Sequence, residues 1–302
     1  MSIAIPTSEK LDYKAPAVVR TTSTKRRWFV HIALILICAF AMIPFLWMIS
    51  TSLKTQDSAM EFPPKIFPKP VMVENYGTIV SGKLNFLLWA RNTVIIVILA
   101  VTGTVISSAV VAYGFARIQF RGRGLLFAIM LATMMIPFQV TMGPLFRIFR
   151  VLGDYTGIEF LGTGKPLWLP AWFGSAFSIF LLRQFFLTIP TELSEAARID
   201  GCSEFGIFTR IVLPLAKPAL AVVALFAFMF HWNDFLAPVV YMQRPEQFTL
   251  ALGLQSFQSQ NGGTPWHLLM AASVLVIAPV IVLFFLAQKT FIEGIATTGV
   301  KG

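Results

Sequence analysis

The chain has 302 residues, 56% hydrophobic and only 13% charged, where a soluble globular protein carries about 25% charged residues. With 29 Phe, 12 Met and 7 Trp, this composition excludes an ordinary water-soluble enzyme, a disordered chain and a disulfide-stapled secreted domain, and it leaves a polytopic membrane protein built as one helical bundle. The formal charge of +10 comes without a basic stripe interleaved with aromatics, so it reads as the basic loops that orient a membrane protein and not as a nucleic-acid surface.

Residues 1–27 are polar, contain Pro6 and Pro16, and end in Lys25-Arg26-Arg27; they are expected to form an N-terminal tail. No charged residue occurs from Trp28 to Leu53. A helix over Trp28–Ser50, rising about 1.5 Å per residue, crosses a hydrocarbon core of about 30 Å. The run is too long for a signal peptide and ends in Trp47-Met48-Ile49 rather than small residues, so it is expected to be retained. Further uncharged runs follow at Asn92–Ala116, Gly124–Phe146 and Pro166–Leu182. The next is Pro218–Asn233, continuing past Asp234 towards Tyr241, and the last is Trp266–Ala287. Each is apolar all round, and in lipid the backbone must bond within the segment, so these are helices and not barrel strands. The expected fold is all-α with six transmembrane helices, a membrane domain over 28–289 and a tail over 290–302.

Six crossings put both termini on one side. Arg26-Arg27 before the first span and Arg117, Arg121 and Arg123 in the turn after the second place that side in the cytoplasm. Prolines 44, 137, 238 and 279 lie within the runs; they fit a bundle that moves and equally fit ordinary kinked packing. Gly103, Ser107, Ser108, Ala112, Gly114 and Ala116 form a small-residue stripe where another helix can approach closely.

Chemistry-bearing patterns are sparse. Asp234 is the one acidic or basic residue among the apolar runs, so proton coupling has little support. Gly77 to Leu84 imitates a phosphate loop, but Leu84 stands where the magnesium-binding hydroxyl belongs, and the match reads as chance. No paired His or Cys/His spacing suggests a metal, and Cys38 and Cys202 are read as structural. The chain is expected to bind no cofactor and to catalyse no reaction.

The richest segment is the inter-span loop 187–218. Pro190 suits a helix start, Glu192 and Glu195 favour its positive end, and Ala196 and Ala197 are strong helix formers. Gly201 is a natural left-handed stop. Ser203 can cap a second helix with Phe205, Phe208 and Ile211 on one face, closed by Pro214 and Pro218. A pair of short helices at a glycine turn can dock into a partner's groove, or it can be a solvated loop; the residues alone leave both readings open.

Glu195-Ala196-Ala197, three residues, Gly201, nine residues and Ile211-Val212-Leu213-Pro214 resemble the EAA loop of ABC importer permeases. Trp232-Asn233-Asp234-Phe235, the ending Gly299-Val300-Lys301-Gly302, Asn75-Tyr76 and Arg91-Asn92-Thr93 are similar to the maltose-type carbohydrate permeases, in particular their G-subunit-like members. The resemblance covers about residues 28–302. It implies a type I ABC importer permease fold in a bacterial or archaeal cytoplasmic membrane, with both termini cytoplasmic. It also implies a second, F-subunit-like permease, two ATPase subunits that carry ATP and magnesium, and an external sugar-binding protein. Within the loop it makes Glu195 the charged anchor, Ala196 and Ala197 the close-packing face and Gly201 the turn. Asp200, Phe205, Ile211, Leu213 and Pro214 complete the coupling surface. Trp232, Asn233 and Asp234 become contacts to the path or to the partner permease, and Gly299, Val300 and Lys301 an ATPase-contacting tail. The competing class is an ion-coupled carrier or channel that works without an ATPase.

Overall fold

A computed structural model of the protein describes residues 24–81, 84–259 and 263–298, with side chains placed for 28–81, 84–258 and 263–288. Among these residues there are helices and no strand. The chain divides into two compact units, Met1–Trp47 and Met48–Gly302. The first holds most of helix α1, Thr24–Ser52, which is unbroken although Pro44 lies inside it.

In the second unit α2 is Glu74–Val80 and α3 is Phe86–Arg117. At 32 residues, α3 is the longest described helix of the first half of the chain and its packing axis. Toward its C-terminal end Ala109, Ala112, Tyr113 and Ala116 share a buried cluster with Ile179, Leu182 and Phe186 of α6, Ala176–Thr188. Toward its N-terminal end Trp89 and Val97 share another with Trp232, at the end of α9 (Lys217–Trp232), and with Ala271 and Ala272 of α12 (Trp266–Thr298). The small-residue stripe does what its spacing suggested. Ser107 Oγ donates to the Ala171 carbonyl at 3.2 Å, and Ser108 Oγ accepts from the Ser175 amide at 3.3 Å. Gly103 lies so close to the Trp172 indole that a Cβ would sit 2.5 Å from its Cδ1.

Four stretches are long and apolar enough to cross a membrane, and six if each of two bent pairs is one span. The first bent pair corrects the expected straight run Gly124–Phe146. Helix α4, Arg123–Thr133, stops short of Pro137, and α5, Phe138–Thr156, leaves it at 98°. Pro137 has no N–H to continue the ladder and pushes the residue before it out of helical geometry. Arg147, Arg150 and Asp154, expected in a loop, lie on α5, which ends where Gly157 takes φ +71. The fourth apolar stretch is longer than expected and runs over Lys165–Thr188, with a 3-10 turn at Leu169–Phe173 before α6.

Between α6 and α9 come α7, Thr191–Ile199, and a composite helix α8, Glu204–Leu215. Helix α9 turns away from α8 by 79°. The expected continuation of α9 towards Tyr241 does not occur: it stops at Trp232, and α10, Leu236–Tyr241, begins after a break at 233–235. Helix α11 is Leu250–Ser256. Helix α12 is helical as far as Thr298, so the first residues of the expected tail continue the helix beyond Gln288, where the apolar stretch ends. Gly299, Val300 and Lys301 lie outside the described residues, as do Gly82 and Lys83 of the phosphate-loop lookalike.

Candidate functional site

The loop between α6 and α9 is built from two short helices. In α7, Glu192, Glu195, Ala196 and Ile199 fall at positions i, i+3, i+4 and i+7 and are all exposed, Ile199 at 87%. The opposite side carries Ser194, which is buried, and Ala197, which packs against the α3–α6 cluster. The two alanines therefore face different ways: Ala196 is displayed and Ala197 anchors the helix.

Helix α7 ends at Gly201, whose φ of +78 is left-handed. The Cys202 amide donates to the Ala197 carbonyl at 2.9 Å and the Gly201 amide to the Arg198 carbonyl at 3.0 Å, the paired bonds of a Schellman cap. Nothing lies within 4 Å of a Cβ built on Gly201, so the glycine serves the backbone and not packing. Ser203 then caps α8, its Oγ accepting from the Gly206 amide at 3.2 Å. Phe205 is exposed at 74%. Asp200 and Pro214 are exposed too, and Leu213 is half-buried.

The expected common face of Phe205, Phe208 and Ile211 is split, with Phe208 buried, Ile211 half-buried and Phe205 exposed. Residues Phe208–Val212 form a π turn, which adds about one residue per turn and aligns positions five apart. Ile207 and Val212 are consequently both fully buried, with Phe208, while Ile211 is half-buried.

Four residues to which the sequence reading gave no such role, Glu204, Arg198, Tyr113 and Arg117, hold this loop to the bundle. Glu204 Oε1 accepts from Arg198 Nε at 2.6 Å, across the glycine turn, and its Oε2 accepts from the Tyr113 hydroxyl of α3 at 2.8 Å. The Tyr113 ring packs on Phe208 at 5.0 Å between centroids. Arg117, one turn further along α3, donates through Nη2 to the carbonyls of Phe186 and Ile189 at 2.7 and 2.5 Å, closing the end of α6. The Arg198 guanidinium first, and the Tyr113 hydroxyl second, hold the Glu204 carboxyl below the usual glutamate range. The sequence signal was present: Tyr113 and Arg117 are four apart at the end of α3, and Arg198 and Glu204 carry opposite charge on either side of Gly201.

Trp232, Asn233 and Asp234 go to three different places. Trp232 is buried, stacks on Phe228 at 5.2 Å and donates through Nε1 to the Val276 carbonyl of α12 at 3.2 Å. Exposed Asn233 donates through Nδ2 to the Met229 carbonyl at 2.8 Å, closing α9. Asp234 starts α10 by accepting from the Ala237 amide at 3.2 Å, and it lines a cavity of about 520 Å³. The cavity wall is mostly apolar, drawn from α3, α5, α6, α9 and α10, with Phe138, Phe177, Phe226 and Phe230 among its rings. Neither Trp232 nor Asn233 reaches it.

At the other end of α3, Asn92 Nδ2 donates to the carbonyls of Glu246 and Phe248 at 2.9 and 3.1 Å, and Thr93 Oγ1 accepts from the Leu250 amide at 2.8 Å. Asn75 Nδ2 likewise donates to the carbonyls of Ser52 and Lys54. These motif residues tie loops to helices.

The family profile described as the binding-protein-dependent transport system inner membrane component matches residues 105–296. Among curated relatives, the arabinooligosaccharides transport system permease protein AraQ of Bacillus subtilis is 35% identical over 240 residues, 78% of this chain and 82% of that one. The trehalose/maltose transport system permease protein MalG of Thermococcus litoralis is 32% identical over 280 residues, 92% of this chain and 98% of that one. Among solved structures, a chain of a bacterial ABC transporter that imports the acidic polysaccharide alginate superimposes with a TM-score of 0.76 at 25% identity, covering 90% of this chain and 99% of that one.

Proposed function

This chain belongs to the family of binding-protein-dependent transport system inner membrane components, and on that premise we propose how it works as the permease subunit of an ATP-driven sugar importer. It is a transport subunit and not an enzyme. It forms half of a translocation path with a second, F-subunit-like permease, and an external sugar-binding protein supplies the solute. Two ATPase subunits, which hold ATP and magnesium, dock on the 187–218 loop from the cytoplasmic side, where both termini also lie. The membrane domain of this reading spans 28–289, and Gly299, Val300 and Lys301 reach the ATPases.

The observation that carries the reading is the shape of the loop. Glu195, Ala196 and Ile199 present one charged, one small and one large apolar surface side by side, and Phe205 stands exposed across the Gly201 turn. An exposed apolar pair rimmed by charge on two short helices joined by a tight turn is what a groove on a partner protein recognises. The Glu204 bridge between Arg198 and Tyr113 makes the docked face continuous with α3, so a push on α7 moves the span rather than bending the loop. Nucleotide-driven closure of the ATPases then shifts the spans between inward-open and outward-open states.

The test is reconstitution of the whole importer in proteoliposomes with Glu195→Lys in this chain. Sugar uptake is expected to fall at least about tenfold while the ATPases still hydrolyse ATP, because reversing a charge at a docking rim costs about 1.4 kcal/mol or more. Uptake equal to the unaltered importer would refute the docking role. Accumulation of sugar by this chain alone, driven by an ion gradient, would restore the secondary-carrier reading.

A further inference from the structure

The cavity beside α9 has a chemistry of its own. Its volume of about 520 Å³ lies within the usual range of small-ligand sites, about 300–1,000 Å³. Phe226 and Phe230 from α9 and Phe177 from α6 supply flat apolar faces, and Phe226 and Phe230 are 45% and 61% exposed at its open side. Polar groups sit among these rings: Ser175, Ser178, His231 and Asp234. Ser175 already accepts from the Ser178 amide and Asp234 from the Ala237 amide, but acyl chains would meet none of the hydrogen-bonding capacity that these groups retain. A wall of aromatic faces with a few hydroxyl-matching groups suits a sugar ring, whose C–H faces are apolar and whose rim is all hydroxyl.

Charge narrows the class further. Asp234 is the acidic residue of the lining, and no Lys or Arg is among the lining residues. A uronate would bring a second carboxylate beside Asp234 with no Lys or Arg to balance it and His231 as the one basic side chain of the lining, in a wall that screens poorly. A hydroxyl group meets the reverse situation, because Asp234 retains acceptor capacity beyond its bond to the Ala237 amide.

We infer that this cavity is a saccharide station within this chain, that it takes uncharged oligosaccharides by stacking on Phe230 and bonding hydroxyls to Asp234, and that it rejects uronates. The inference rests on the importer reading above and assigns the substrate class to a particular wall of this subunit.

The experiment uses the assembled importer, both permeases with their ATPases, purified without the binding protein so that the latter's selectivity does not enter. Equilibrium binding is measured with tritiated maltotriose, trehalose and arabinotriose, and trigalacturonate is the competitor. At least one neutral probe is expected to bind and to be undisturbed by a hundredfold excess of trigalacturonate. Asp234→Asn keeps a side-chain acceptor for the α10 cap but loses the charge, and it should weaken binding about tenfold or more, the worth of one charge-assisted hydrogen bond. Phe230→Ala, at a position exposed in this chain, should weaken it at least about threefold.

Binding within twofold of the unaltered complex in both variants would overturn the proposal, as would effective competition by trigalacturonate. So would a complex that binds none of the neutral probes yet accumulates one of them with ATP and binding protein; that result leaves the importer reading standing. A fully assembled system that accumulates no saccharide with ATP would remove both.

Discussion

At the scale of single residues, glycines serve this chain in two separable ways. Gly201 is required by backbone conformation alone, since its φ is +78 and the space around it is open. Gly201→Val should therefore destabilise the loop by about 1–2 kcal/mol, the strain of a branched residue in left-handed geometry; faster hydrogen exchange at the amides of 191–203 reads it. Gly103 is required by space, with the Trp172 indole where a Cβ would go. Gly103→Ala should lower stability by about 1–3 kcal/mol as an overpacked contact. Gly77, inside α2 with nothing within 4 Å of its Cβ position, provides the opposite sign: Gly77→Ala should raise stability by up to about 1 kcal/mol through helix propensity. Thermal unfolding of the two alanine variants in detergent is expected to shift in opposite directions.

At the scale of elements, the loop is tied to α3 through Glu204, which is not one of the marked positions of its motif. Glu204 is more acidic in the folded loop than in the unfolded chain, because Arg198 and Tyr113 favour its charged form. The linkage then runs one way: stabilisation is complete above the ordinary glutamate value of about 4.3 and is lost as pH falls through the lower folded value. Proteolytic protection of 191–215 should be flat from neutral pH down to about 4.3 and then decline as pH falls further. Glu204→Gln should lower protection at neutral pH and flatten the acid decline. An unchanged acid profile in Glu204→Gln would assign the decline to other groups. The elements themselves were legible to different degrees. The Gly201 stop and the Ser203 cap were readable because each is decided by bonds within a few residues. The π turn at Phe208–Val212 was not, since an extra residue per turn is chosen by which side chains the neighbouring helices can bury. Nor was the break after Trp232: Asn233 and Asp234 close one helix and open the next, whereas hydropathy alone reads straight across them. The dispersal of Trp232, Asn233 and Asp234 to a core, a helix end and a cavity follows from that break. Adjacency in sequence had suggested a single site.

At the scale of the whole molecule, α3 acts as a beam with a different load at each end. Its N-terminal half holds the 245–250 loop through Asn92 and Thr93, and its C-terminal half holds the 187–218 loop through Tyr113 and Arg117. The functional reading sets these loops on opposite sides of the membrane. Impermeant maleimide should therefore label Tyr155→Cys, 90% exposed on α5, in intact cells. Ile199→Cys, 87% exposed on α7, should be labelled only after lysis of cells that lack the ATPase subunits, both in a background with Cys38 and Cys202 replaced by Ser. The reverse pattern would invert the topology. Asn92→Ala should free the far loop while leaving α7 protected, and hydrogen exchange separates the two ends.

The open left-handed corner at Gly201 has a stereochemical consequence. What that position forbids is handedness rather than bulk: a D-alanine introduced by semisynthesis prefers the positive φ that an L-residue resists. Such an enantiomeric substitution should leave the corner intact, where the same methyl group on the L-isomer would strain it.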